Sequence, residues 1–187
     1  VETGTANGES SGNVDLVGGS GTTQGGSVQV VSGTSTSLSS GNVQMQTNTA
    51  LALDSGAIDI QSGLATEQSS GDVHVNSGDS STGKSGTVAI VVSQGQTIGG
   101  DIDVGAGSSD MLTGGSIKVT SGGSASGQSG TIDIVSESSP STSGSVTIGT
   151  GVAAGIDGAS GTVELQSGSS TFGQSGDVSL TAGNGDN

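Results

Sequence analysis

Side chains able to do chemistry are scarce in this chain: one histidine, His74, two lysines, Lys84 and Lys118, no cysteine, and 17 carboxylates. A nucleophilic triad needs a hydroxyl, an imidazole and a carboxylate within hydrogen-bond reach of one another. Serine is abundant, but the spacing around His74 places no Ser and Asp pair beside it. No catalytic residue is assigned, and the chain is expected not to be an enzyme.

The stretch from Gly78 to Gly83-Lys84-Ser85 matches the phosphate-binding pattern G-x-x-x-x-G-K-[ST] in full. That loop works by leading into a helix whose first amides face the phosphate, whereas here the strand-like Val88-Ala89-Ile90 follows. Gly122 to Ser129 and Gly168 to Ser175 repeat the spacing with Gln128 and Gln174 in place of the lysine. All three read as ordinary turns, and no cofactor-binding residue is assigned.

Acidic residues recur at alternate positions: Asp15, Asp59, Asp103, Asp133 and Glu164 in one column, Asp72, Asp101 and Asp177 in another. Calcium takes six to eight oxygens, and Asp101 with Asp103 is the best local pair for it. The acids skip many repeats, and the simpler reading is a solvated acidic face. With a formal charge of −15 the chain is a poor ligand for nucleic acid, whose phosphates demand clustered cations. No apolar run is long enough to span a bilayer.

These residues are carried by a repeat. The pattern G-x-[VI]-x-[VILM]-x-S-G begins at Gly12, Gly26, Gly41, Gly56, Gly71, Gly86, Gly100, Gly115, Gly130, Gly144, Gly161 and Gly176, mostly ~15 residues apart, and covers 1–187 as one continuous segment. Its third position is always β-branched: Val14, Val28, Val43, Ile58, Val73, Val88, Ile102, Ile117, Ile132, Val146, Val163 and Val178. The fifth is always apolar, from Leu16 and Val30 to Leu165 and Leu180, and the fourth between them is nearly always polar. Apolar residues two apart with a polar one between mark a strand with one inward face.

Strands recurring this often, with connections too short for a helix, are expected to pair with their own counterparts one turn above and below. The expected fold is all-β: a parallel β-helix, or β-solenoid, of about twelve coils, forming a rod on the order of 55 to 60 Å long. The third-position residues are its core ladder. Glycine at the eighth position (Gly19, Gly33, Gly63, Gly78, Gly107, Gly122, Gly151, Gly168, Gly183) suggests a corner at positive φ. The small tenth position, as in Ser35, Ala50 and Ser124, suggests a second inward column, and Leu38, Leu53, Ile98, Leu112 and Ile156 a partly filled third wall. Val1 to Gly4 match the fifth to eighth positions of an incomplete coil, and no polar cap follows Gly183. The segment is therefore expected to belong to a longer repeat protein.

Ser and Thr make up roughly a third of the chain. They form turns, and they offer sites for O-linked glycans, while no Asn-x-Ser/Thr sequon exists for N-linked ones. Repeats such as Ser160-Gly161-Thr162-Val163-Glu164-Leu165-Gln166-Ser167-Gly168-Ser169-Ser170 resemble the Gly/Ser-rich tandem repeats of large cell-surface proteins of diatoms and other stramenopile algae. That resemblance implies an extracellular or cell-surface glycoprotein of fibres. The expected function is a structural subunit of an extracellular filament, tubular hair or surface coat, associating with itself or with other repeat proteins of the same fibre. The alternative is a spacer or binding module of an adhesin that grips ice, mineral or glycan.

Overall fold

The computed structural model describes residues 12–185 of the chain. Val1 to Gly4, matched above to an incomplete coil, lie outside them. Among the described residues there is no helix and no strand, so the expected parallel β-helix is not the fold and the chain is mostly coil. The ladder residues Val14, Val28, Val43, Ile58, Val73, Val88, Ile102, Ile117, Ile132, Val146, Val163 and Val178 do not form a core. Each is exposed, from 48% at Val88 to 56% at Ile117, and no side chain among the described residues is buried.

The reason is where the backbone hydrogen bonds go. A strand exists only when its amides and carbonyls find a second strand, and a solenoid requires each repeat to reach around to the next. At four places among the described residues the chain instead bonds back to itself, the first residue of one repeat to the repeat before it. The Gly41 amide donates to the Gly33 carbonyl (3.0 Å), Gly115 to Gly107 (2.8 Å), Gly130 to Gly122 (2.9 Å) and Gly26 to Gly19 (2.7 Å). In each pair the eighth position of one repeat accepts from the first position of the next. The residues between them form an excursion tied at a neck, and the neck takes the bonds that a corner would have left for stacking.

Composition works in the same direction. With 28% hydrophobic residues and one Phe, little apolar area is available to offset the roughly 1–2 kcal/mol per residue that ordering a backbone costs.

The chain divides into two units, Val1–Val91 and Val92–Asn187. In the first, bends fall at 22–23, 36–38, 51–53, 66–68 and 81–83; in the second, at 96–98, 110–112, 125–127, 140–141, 155–157 and 171–173. The bends therefore keep the period of the sequence repeat although the strands are absent. The repeat is real at the level of local structure.

Candidate functional site

Each repeat has two parts, an extended arm over positions one to seven and the necked excursion that follows. In the arm the period-two alternation persists without pairing. Asp72 and His74, two residues apart, bring Oδ2 and Nε2 to 3.7 Å. The Gln44 amide nitrogen donates to Gln46 Oε1 at 2.7 Å, and the hydroxyls of Ser179 and Thr181 lie 3.4 Å apart. Even-numbered positions thus share one side of the arm, and the apolar third and fifth positions fall on the other. The fifth position is more open than the third, from 66% at Leu165 to 85% at Leu180.

At several necks the chain passes close to itself. A methyl group added to Gly86 would stand 3.2 Å from the Ser77 Cβ, and one on Gly115 would stand 3.3 Å from the Ala106 Cβ. At Gly100 the same methyl would come within 2.9 Å of the Val92 Cγ1. At Gly86, Gly100 and Gly115 the first-position glycine is therefore a close-approach glycine, whereas at Gly71 the same methyl would meet nothing within 4 Å. Gly18, Ser32 and Ser77, all at the seventh position, are half-buried, and so is Ala65 at a tenth position, while the other described residues are exposed.

The eighth-position column behaves otherwise. None of its glycines has a positive φ, and a methyl group on any of them would meet nothing within 4 Å. The expected positive-φ corner is absent. The described non-glycine residue with positive φ is Asp157 (65°), in the tight turn that the Gly158 amide closes onto the Gly155 carbonyl at 3.1 Å. Aspartate tolerates that region better than most residues do.

The tenth position is not an inward column either; its serines make the bend. Ser35 Oγ accepts from the Leu38 amide (3.0 Å), Ser80 from Gly83 (3.0 Å), Ser109 from Leu112 (3.0 Å), Ser124 from Gly127 (2.8 Å) and Ser170 from Gly173 (2.9 Å). A hydroxyl bonded to the amide three residues on substitutes for a backbone turn. In the shorter repeats opening at Gly12 and Gly86 the position is Gly21 or Gly95, and the carbonyls of Gln24 and Ile98 occupy the space a Cβ would need. Sequence reasoning saw that this column was small and missed why. The signal was present, since a serine recurs at position ten, as at Ser35, Ser80, Ser109, Ser124 and Ser170.

The thirteenth-position aliphatics fill no wall. Leu38, Leu53, Ile98, Leu112 and Ile156 are exposed, as is Phe172. They ride on the bends and point into solvent.

The residues singled out for chemistry lie apart from one another. Asp101 and Asp103 flank Ile102 on an exposed arm, and among the described residues no three His, Cys, Asp or Glu side chains group to hold a metal. The Gly78–Ser85 stretch is the excursion between the neck residues Ser77 and Gly86. Its Gly83 amide is taken by Ser80, and no helix follows it. A concavity lined by Gln61, Ser62, Gly63, Leu64 and Ser70 is the open inside of another such excursion, and none of these lining residues is titratable. Among the described residues no helix is long and apolar enough to cross a membrane. Compared with known protein families, with curated proteins and with solved structures, the chain matches none.

What the arrangement presents is an array. Two apolar columns and a row of unpaired backbone groups are offered to solvent once per repeat.

Proposed function

We propose that this chain is a non-catalytic structural unit that works by assembling with further copies or with similar repeat chains. The product is a filament, tubular hair or coat outside the cell. The observation that carries this reading is the uniform exposure of the third-position column, about half of each side chain in every repeat. Apolar surface recurring so regularly and covered by nothing in its own chain is the kind that association buries. The extracellular setting is supported by the resemblance of the repeat to surface-protein repeats.

Association must overcome the charge of −15 on each chain. Salt screens such repulsion over about 8–10 Å at physiological strength, and divalent cations bridge carboxylates. Static light scattering on the purified chain, across sodium chloride and calcium chloride, is the test. The expected result is a mass that rises with either salt. A chain that stays monomeric throughout, and whose native form is an isolated stalk carrying a separate binding domain, would instead make it the spacer of an adhesin.

A further inference from the structure

Resting on that assembly reading, we propose that the partner surface is the arm itself. The arm of one copy pairs in parallel with the arm of a second copy, staggered by one repeat. Three observations lead there. Among the described residues, no backbone amide or carbonyl at positions two to six of any repeat makes a hydrogen bond, the backbone bonds being confined to necks and bends. These arms are extended, β-branched and alternating, so they present the unpaired edge that a second extended segment completes. A partner must offer such segments at the same spacing, and another copy does so along its whole length.

The stagger follows from charge. Down the fourth position the residues are Asp15, Gln29, Gln44, Asp59, His74, Ala89, Asp103, Lys118, Asp133, Thr147, Glu164 and Ser179. Two copies aligned in register would set Asp15, Asp59, Asp103, Asp133, Glu164 and Lys118 each against its own like charge, which is destabilising across paired strands. A shift of one repeat removes every one of these clashes. It sets Asp59 opposite His74 and places Lys118 against Asp103 in one neighbour and Asp133 in the other. The second position agrees. Asp72, Asp101 and Asp177 would face themselves in register, whereas the shift puts them opposite Ala57 and Thr87, Thr87 and Ser116, and Thr162.

A staggered parallel contact does not close. Each pairing leaves one repeat free at the end, so copies add without limit and the product is a filament rather than a dimer.

The test uses the whole chain in salt, with scattering followed beside hydrogen–deuterium exchange. Pairing is expected to slow exchange of the arm amides, such as 27–31 and 116–120, by about tenfold or more while the excursion amides stay fast. Lys118→Glu decides the register, because it turns two attractive contacts of the stagger into repulsive ones and leaves an in-register pairing with one like-charge pair in place of another. The concentration needed for association is expected to rise about tenfold. Moving the charges with it, in Lys118→Asp with Asp103→Lys and Asp133→Lys, is expected to restore the original value. If mass rises but arm exchange stays fast, arm pairing is wrong and the assembly reading survives. If arms are protected but Lys118→Glu changes nothing, the stagger is wrong. If no association occurs in any salt, both readings fall together.

Discussion

Ser124 is the simplest place to see how a residue type becomes a shape. Its hydroxyl holds the Gly127 amide at 2.8 Å and also lies 3.4 Å from the Ser126 amide, so one side chain satisfies the turn that the backbone leaves open. Ser124→Ala is expected to free the Gly127 amide and raise its exchange rate severalfold, in line with the roughly 0.5–1.5 kcal/mol of an ordinary hydrogen bond. Ser124→Thr keeps the acceptor and is expected to keep the protection. Glycines separate by the same logic. Gly95→Ala would set a Cβ against the Ile98 carbonyl and must reshape its bend, while Gly107→Ala enters open space at an ordinary φ. Backbone chemical shifts in the two variants are the check: wide changes across 95–99 in the first, changes confined to the neighbours of position 107 in the second.

At the scale of the element, arm and excursion answer to different forces. The excursions between Gly33 and Gly41, Gly107 and Gly115, and Gly122 and Gly130 are each held by a neck bond and a serine turn, both local. The arm has apolar residues on one side and free backbone groups, and so remains incomplete. Ile117→Asp shows the difference. In a solenoid core this change would bury an unpaired charge at several kcal/mol, but Ile117 is 56% exposed. In the isolated chain the variant is expected to leave backbone chemical shifts unchanged beyond its immediate neighbours, as exposed surface substitutions do. In assembly it is expected to raise the concentration at which scattering increases. A variant that instead broadened the spectrum of the isolated chain would show that the arm is packed after all.

For the whole molecule, the consequence of having no buried side chain among the described residues is thermodynamic. Cooperative melting and its heat-capacity change come from exposing apolar surface that the native state had covered. The isolated chain at low salt is therefore expected to show no sharp calorimetric transition, and a transition is expected to appear once salt has driven association. A sharp peak from the monomer would contradict the exposure seen at the third-position column. On the assembly reading, the charge of −15 is expected to keep single chains apart at low ionic strength and to make salt the control on association.

Sequence alone determined the period and the side of the arm on which Val28, Ile58 and Ile117 stand. Both are local: alternation depends on backbone geometry between neighbours, and the period on turns that recur with serines such as Ser35 and Ser124. Whether an arm finds a partner, and which one, is not local. The column of β-branched residues says that an apolar side exists without saying what covers it, and the expected β-helix supplied the cover from the next repeat. Only the tertiary structure decided otherwise, because the first-position amides at Gly26, Gly41, Gly115 and Gly130 bond back across their own excursions. A neck closed within a few residues loses less chain entropy than a ring carried round to the following repeat, and a chain with so few large side chains has little burial to outweigh that difference.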